Sequence, residues 1–502
     1  MSERTECSME RGSGPRSNAG YSPARRLRYH AAGWLLAFGV PLGCSTEDPL
    51  EHYVPVRMTS PPPAVTAQGG LGGSAPSGVG GSAGRATDGG GGEAGGDGQA
   101  ASSTQAAATS SGSGGTGADS STSDGTGAGG TGGTPIECGP APVSEGPFTK
   151  ERLRAAAADC ALHHYCQFEG RARRLENAVA EHAVAANDES LARARAAWRE
   201  AMLSWQVLEV FQFGPLASAS VTAGRDGFQG KGLRDKIYAW PVVARCRVDE
   251  QVIGRSFVDS GMDRALISGR GLYALEALLF YSGDDCACGG SSPTAQTWLS
   301  LTPATLEAYK RDYAVAASED VVDQIQGLIQ TWTAGDQPFY PKFVSASGYP
   351  SEQEAMNVLA WALVYLEKEV KDYKLGLPAG FTLVAPVSEP EAPYSGLGYD
   401  NVVQNLLGFR SLFQGCGADG EGLGFDDWLI EAGHAELAED INGAWQIAFQ
   451  SAESLAETGD AEAIQKAYFA VKALTDLLKN ELLGTGSPLN LDLPDSVAGD
   501  TD

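Results

Sequence analysis

The sequence has few stretches that alternate polar and apolar residues, and this scarcity argues against a protein built on β-sheets. It also has no His-Glu-x-x-His pattern and no phosphate-loop pattern, so the usual zincin and P-loop signatures are missing. Basic residues are outnumbered, with 36 Lys and Arg against 63 Asp and Glu. The resulting net charge of -27 disfavours nucleic acid as a partner and favours cations or neutral ligands.

Near the N-terminus an apolar run from Ala31 to Leu42 follows several arginines, but twelve residues are too few to span a bilayer as a helix. Basic residues, an apolar run and a cysteine behind a small residue are typical of a bacterial signal peptide with a lipobox-like end. We therefore predict a signal peptide over residues 1–44 and a lipid on Cys44. An ordinary cleaved signal peptide is the alternative. Because Ser45 rather than Asp follows Cys44, we expect an outer-membrane lipoprotein.

The next segment lacks the residues that build a core. Residues 61–135 contain no aromatic residue and hold 25 of the 65 glycines. Such a composition cannot bury enough apolar surface to offset its chain entropy. We predict a disordered linker over residues 45–147 that lets a folded domain stand away from its membrane anchor.

Seven cysteines follow the predicted signal peptide, namely Cys138, Cys160, Cys166, Cys246, Cys286, Cys288 and Cys416. In an exported protein this odd number predicts up to three disulfides and one free thiol. Cys286 and Cys288 are too close to pair easily, so we expect each to reach another segment. The spacing of Cys160, His164 and Cys166 resembles that of metal ligands, but disulfides to other segments explain these cysteines better.

Nearly all of the chain from Phe148 to about Leu483 is predicted to be helical. Apolar residues recur there at spacings of three, four and seven, and the helix starts are marked by Thr149, Asn187, Thr302 and Ser351. Long amphipathic helices on both sides of residue 300 predict an all-α fold of two packed four-helix-bundle-like domains, residues 148–300 and 301–490. Five tryptophans on the apolar stripes are predicted core residues: Trp198, Trp205, Trp332, Trp361 and Trp445.

Four segments, in this order, carry a resemblance to a known family. They are residues 198–215, the pair Trp240 and Pro241, residues 271–276 (Gly-Leu-Tyr-Ala-Leu-Glu) and residues 401–415. The third is similar to the Gly-x-His-x-x-Glu motif of the imelysin family, and the others resemble that family's Phe-Gly-Pro, Trp-Pro and Asn-Leu-x-Gly segments. The resemblance covers residues 148–484. It implies two helical bundles, a location in the bacterial envelope, an association with iron uptake or regulation, and a peptidase activity ascribed to some members.

The sequence departs from the family motif at Tyr273, where the motif has histidine. Imidazole is a good ligand for zinc, copper and iron, whereas a phenol must ionise and chiefly suits Fe(III). The substitution argues against zinc-dependent hydrolysis, because catalytic zinc sites usually include histidine. A carboxylate-rich iron or calcium site stays open.

The candidate metal ligands are Glu209, Tyr273 and Glu276, two carboxylates and a phenol brought from two helices to one cation. A buried unpaired charge costs several kcal/mol, so Glu276 must be protonated, paired or hydrogen-bonded if it faces the core. The alternative is structural. In that case Glu276 hydrogen-bonds Tyr273 or pairs with Arg234 or Arg270, and no metal is bound.

We expect a non-catalytic, imelysin-like envelope lipoprotein that binds a metal ion, with iron favoured over zinc or calcium, or that binds an iron-linked ligand or an envelope protein. One alternative is a metallopeptidase of the imelysin type. Another is a binding module for polysaccharide or protein in which the carboxylates are structural. If another histidine replaces the missing one, His164 and His182 are the first candidates. The loop from Gly224 to Gly232 is predicted to be a flexible connection.

Overall fold

The computed structural model describes residues 138–144, 146–217, 232–381, 390–417 and 419–498. The predicted signal peptide, the lipid site at Cys44 and nearly all of the predicted linker lie outside the described residues. So does the glycine-rich loop, apart from Gly232. These assignments therefore stay predictions.

Every regular element in the described part of the chain is a helix, and the prediction of an all-α fold is confirmed. The α-helices are α1 (Lys150–Ala185), α2 (Asp188–Glu209), α3 (Leu233–Ile237), α4 (Arg245–Gly254), α5 (Phe257–Ser260), α6 (Gly271–Phe280), α7 (Pro293–Ser300), α8 (Pro303–Thr333), α9 (Phe339–Val344), α10 (Glu352–Trp361), α11 (Leu377–Ala379), α12 (Gly398–Phe413), α13 (Phe425–Glu431), α14 (Ala435–Thr458), α15 (Ala461–Leu477) and α16 (Asp495–Ala498). The short 3-10 helices are Gly214–Leu216, Gly261–Arg264, Ile267–Gly269 and Ala362–Val364. Two π-helical segments are Leu366–Gly376 and Leu478–Leu482.

The predicted helix starts are confirmed by side chains that cap the first turn. Thr149, Thr302 and Ser351 each accept a hydrogen bond from the backbone N–H three residues on. Asn187 does the same and takes part in a reciprocal capping box with Ser190. These bonds satisfy N–H groups that have no partner within the helix, which is why short polar residues at these positions fix where the helices begin.

The long helices pack side by side around one apolar core. Helix α1 lies against α2 and α8, α2 also lies against α12, and α14 lies along α15. Helix α8 follows residue 300 but packs on α1 and α6, which precede it. All described residues fall within one compact unit, and the division into two bundles at residue 300 stays a prediction. Among the described residues, every helix is too short or too polar to cross a bilayer.

The five tryptophans predicted to lie in the core do so. None of their side chains is more than 7% exposed, and Trp198, Trp205 and Trp332 are fully buried. The indole N–H of Trp198 donates to the backbone carbonyl of Leu272 at 2.9 Å, so this residue also joins α2 to α6. The apolar periodicity therefore identified both the helices and their buried faces.

Three disulfides and one free thiol are present among the described residues, as predicted. The disulfides are Cys138–Cys166, Cys160–Cys416 and Cys246–Cys288. Cys160–Cys416 closes the longest loop and ties α1 to the segment that follows α12. The expectation that Cys286 also reaches another segment is wrong, because Cys246 pairs with Cys288 and leaves Cys286 as the free thiol.

The helix predicted to begin after Ser351 changes its winding before it ends. Regular α-helix stops at Trp361, and the chain then passes through a 3-10 turn into the π-helical segment Leu366–Gly376. Short π-helical turns occur frequently at functional sites. Here the π-helical segment carries the buried side chains of Glu367, Lys371 and Lys374.

Candidate functional site

The segments that carry the family resemblance meet in the core, and two glycines allow them to approach. A Cβ on Gly271 would lie 2.1 Å from the carbonyl oxygen of Ile237, and its φ of +65° suits glycine. A Cβ on Gly408 would lie 2.2 Å from the carbonyl oxygen of Val207. Glycine therefore permits α6 to begin against the end of α3 and α12 to pack closely on α2.

Glu209, at the C-terminal end of α2, forms a buried ion pair. Its Oε1 accepts hydrogen bonds from Arg234 Nε at 2.8 Å and from Arg234 Nη2 at 2.5 Å. Arg234 also donates to the carbonyl oxygen of Trp240 at 2.7 Å. Although burial opposes it, the Glu209 carboxylate raises the pKa of Arg234 well above its ordinary value. The guanidinium group is therefore a fixed cation that holds α2 to α3.

Lys374, from the π-helical segment, is the second buried cation. Its Nζ lies 2.9 Å from Glu391 Oε1 and 3.8 Å from Glu209 Oε2. It also donates to Gln206 Oε1 at 2.6 Å and to Asn405 Oδ1 at 2.8 Å. One ammonium group thus joins the π-helical segment, α2, α12 and the chain segment before α12.

Glu276, on α6, is held by the segment that leads into α12. Its Oε1 accepts hydrogen bonds from the backbone N–H groups of Tyr394 and Ser395, at 3.1 and 2.8 Å, and from Ser395 Oγ at 2.8 Å. Burial, with a smaller contribution from the charge of Glu391, raises the pKa of Glu276 to about 7 against the effect of these three donors. The carboxyl group therefore titrates near neutral pH.

We call Glu209, Glu276, Glu391, Arg234 and Lys374 the carboxylate-rich cluster, because it holds three carboxyl groups and two cations. The Oε2 atoms of Glu209, Glu276 and Glu391 are buried and accept no hydrogen bond from the described residues. Burial and the negative charge of all three glutamates raise the pKa of Tyr238. Leaving such lone pairs unmet costs about 1–3 kcal/mol each.

The three predicted metal ligands are all buried, Glu209 and Glu276 being 0% exposed and Tyr273 1% exposed. The alternative in which Glu276 pairs with an arginine is wrong in both its forms. Arg234 pairs with Glu209, and Arg270 pairs with Asp320, whose Oδ2 accepts from Nε at 2.9 Å. Backbone N–H groups and one hydroxyl group take the place of the expected cation at Glu276.

Three sets of candidate ligand atoms from His, Cys, Asp and Glu come within 4.8 Å of one another among the described residues. They are Cys160 with His164 and Cys416, Cys246 with Glu250 and Cys288, and Asp249 with Cys286 and Cys288. Each set includes at least one disulfide sulfur, which is not a thiolate ligand. None of these sets contains Glu209 or Glu276, so the metal site of Glu209, Tyr273 and Glu276 stays a prediction.

The two histidines named as substitutes for the missing one have other surroundings. The Nε2 atom of His164 is buried without a partner among the described residues, and its ring packs on Phe211. Burial, with the nearby charges of His163 and Arg171, lowers the pKa of His164 to about 3. His182 lies near the C-terminal end of α1, and its Nδ1 is 3.0 Å from Ser190 Oγ.

The sequence alone did not identify three residues of this site, Lys374, Glu391 and Ser395. Lys374 lies on the predicted helix, but nothing in the apolar pattern distinguishes a buried lysine from an exposed one. Glu391 and Ser395 lie in a proline-rich connection without periodicity. The turn-forming residues Pro393, Ser395 and Gly396, directly before a helix, are a local signal that could have drawn attention to them.

The sequence profile of the imelysin family matches residues 161–482. A curated relative, iron-regulated protein A of Synechococcus elongatus, is 24% identical over 353 residues, which cover 67% of this chain and 86% of the relative.

Two solved structures resemble the chain. One is a crystal structure described as a putative iron-regulated protein A precursor from Parabacteroides distasonis, with a TM-score of 0.49 and 17% identity. The other is an imelysin-like protein from Psychrobacter arcticum, with a TM-score of 0.44 and 15% identity. Each match covers 67% of this chain and 95% of the solved chain.

Proposed function

The chain belongs to the imelysin family, and from that premise we propose that it is a non-catalytic protein that binds an iron ion between Glu209, Tyr273 and Glu276. The observation that carries the proposal is the pair of buried carboxylate oxygens, Oε2 of Glu209 and of Glu276, that accept no hydrogen bond from the described residues. Buried polar atoms without partners call for an explanation, and a cation is one. Carboxylate and phenolate oxygens are hard ligands that suit iron.

The charge balance of the carboxylate-rich cluster supports a cation as ligand. Arg234 and Lys374 offset two negative charges, and a third carboxylate carries charge whenever Glu276 is ionised. The pKa of Glu276 is raised to about 7, so metal binding would displace a proton from it near neutral pH. Uptake should therefore strengthen as the pH rises through 7. Tyr273 and solvent would complete the ligand set.

The iron link also has support from the name of the Synechococcus elongatus relative, an iron-regulated protein. The departure from histidine at position 273 favours iron over zinc and a binding role over hydrolysis. If the ligand is instead an iron-linked molecule or an envelope protein, we expect the chain to be exported in the same way.

Metal content and titration calorimetry test the proposal, with Fe(II) under anaerobic conditions, Fe(III) nitrilotriacetate, Zn(II) and Ca(II) as probes. We expect about one iron per chain in the wild type and none in Glu276→Gln, which keeps the oxygen that accepts the three hydrogen bonds. The matched control is Glu367→Gln, which changes another fully buried glutamate, and it should retain iron. Equal uptake by Glu276→Gln and the wild type, with both folded by circular dichroism, would overturn the assignment. Chelator-sensitive proteolysis lost in Glu276→Gln would favour the metallopeptidase instead.

We further propose that the folded domain is exported and held at the outer membrane by a lipid on Cys44. The basic residues, the apolar run and the cysteine support this assignment, together with a linker long enough to reach well beyond the headgroups. Metabolic labelling with palmitate should mark the wild type and leave Cys44→Ala unlabelled. Label on Cys44→Ala, or none on the wild type, would refute the anchor.

A further inference from the structure

A second feature of the molecule is a surface cavity of about 220 Å³ between the end of α1, the start of α2, the end of α6 and the first half of α8. Its charged and polar lining residues include His182, Arg195, Tyr281, Glu307, Lys310 and Arg311. This concentration of basic groups runs against the composition of the chain, whose net charge is -27. The cavity is separate from the carboxylate-rich cluster, with which it shares no residue.

The two arginines of the cavity have no carboxylate partner among the described residues. Arg195 Nε donates to the carbonyl oxygen of Leu279 at 2.7 Å, and this bond leaves its terminal nitrogens available. Arg311 makes no hydrogen bond or ion pair with any described residue, although it is half-buried. Lys310 is paired with Glu307 at 2.8 Å. The lining therefore carries two uncompensated positive charges.

Both arginines act electrostatically on the imidazole of His182. Burial lowers the pKa of His182, and Arg311 and Arg195 lower it further, while Glu307 partly opposes them. Both guanidinium groups are thus close enough to the ring to act on its titration. Its Nδ1 is engaged with Ser190 Oγ at 3.0 Å, which orients the ring.

We propose that this cavity binds a small oxyanion with two or three negative charges, such as a tricarboxylate or a phosphate. A planar guanidinium matches carboxylate and phosphate oxygens with two parallel hydrogen bonds, and here two arginines line one cavity. The volume lies below the roughly 300–1,000 Å³ of sites for drug-sized ligands, so it suits a small anion. The negative charge of the bound anion would balance the positive charges of the two arginines.

Titration calorimetry on the full-length protein, freed of metal with EDTA and then dialysed, tests the proposal with tricarballylate and inorganic phosphate as probes. Tricarballylate is chosen because it lacks the hydroxyl group that makes related tricarboxylates strong iron chelators. We expect one site per chain, and Arg311→Gln should weaken binding about tenfold or more. The anion affinity of Arg311→Lys should lie between those of the wild type and Arg311→Gln, because lysine keeps the charge but loses the planar pair of donors.

The matched control is Arg193→Gln, which removes the same charge from α2 two residues from Arg195. Arg193 pairs with Glu181 and Glu189 on the surface and does not line the cavity. The affinity of the Arg193→Gln variant for both anions should stay within about twofold of the wild-type value. Equal weakening by Arg193→Gln and Arg311→Gln, or no binding of either probe at about 5 mM, would overturn the proposal.

A second readout is the imidazole resonance of His182 in the wild-type protein. Its pKa should rise when the anion binds, because the anion offsets the two arginines. An unchanged titration with the anion bound would place the anion elsewhere. Glu276→Gln, which disables only the proposed iron site, should bind both anions like the wild type, so the two proposals fail independently.

Discussion

Two buried polar clusters share the π-helical segment Leu366–Gly376, and they treat their glutamates in opposite ways. In the first, which we call the lysine-rich cluster, Lys371 and Lys479 both donate to Oε1 of Glu367, and Asp372 lies 3.2 Å from Lys371. Although burial opposes it, hydrogen bonds from Lys479, Thr475 and Lys371 lower the pKa of Glu367. In the carboxylate-rich cluster the pKa values of Glu276 and Glu391 are raised.

Neither glutamate is exposed to solvent, since Glu367 and Glu276 are each 0% exposed. The difference lies in the supply of cations. The lysine-rich cluster has two lysines for two carboxylates and ties the π-helical segment to the second one, Leu478–Leu482, which carries Lys479. The carboxylate-rich cluster has two cations for three carboxylates. A complete cluster serves as a structural tie, whereas an incomplete one keeps the capacity to take a further cation, which is the physical basis of the proposed iron site.

The largest expected difference between the two clusters is in stability, when Lys374 or Lys371 is replaced by methionine. Lys374→Met removes the cation shared by Glu391 and Glu209, and leaves the side-chain oxygen of Asn405 without its lysine donor. We expect it to lower the free energy of unfolding by about 4 kcal/mol. Lys371→Met should cost about half as much, because Lys479 still donates to Glu367. Urea denaturation with the disulfides intact measures both.

The control for this pair is Lys466→Met, on the surface of α15, where the ammonium pairs with Glu462 in solvent. Its urea midpoint should match that of the wild type. If Lys374→Met and Lys371→Met lower the free energy of unfolding by the same amount, the two clusters would not differ in cation supply. The shortage of cations in the carboxylate-rich cluster would then no longer support the iron proposal.

The sequence was informative wherever local chemistry decides the structure. The caps at Thr149 and Ser351 set helix starts, and the apolar spacing placed Glu209 and Glu276 on buried faces. The partners of these glutamates were not predictable, because Ser395 meets Glu276 across more than one hundred residues of chain. Such contacts depend on how the helices pack and leave no trace in the local pattern.

The π-helical segment was missed for a related reason. Leu359, Leu363, Leu366 and Val370 recur at spacings of three and four residues, which fit a regular α-helix, whereas the structure is π-helical from Leu366 to Gly376. The segment makes buried ion pairs with distant parts of the chain, from Lys374 to Glu391 and from Glu367 to Lys479. No propensity scale encodes such contacts, so sequence reasoning predicted the helix and not its winding.

A smaller effect concerns pH and sharpens the same comparison. The pKa of Glu276 is about 7 in the folded protein, against 4.5 as its ordinary value. Between these values the folded state holds more protons than the unfolded one, so stability must fall as the pH rises through this window, by up to roughly 3 kcal/mol. For Glu367 the sign is opposite, because a lowered pKa contributes stability above its unfolded value that is lost on acidification.

Unfolding free energies of the wild type and of Glu276→Gln from about pH 4.5 to 7.5 test this expectation. The amide that this substitution introduces can still accept from Tyr394 and Ser395 through its oxygen but does not titrate, so the decline with pH should become shallower. Burial and Asp427 raise the pKa of Asp426 to about 6, and this adds a slope of the same sign to both proteins. The informative quantity is therefore the difference between them. A difference that stays constant across the window would mean that Glu276 is ionised throughout, like Glu367, and that the carboxylate-rich cluster is as well compensated as the lysine-rich one.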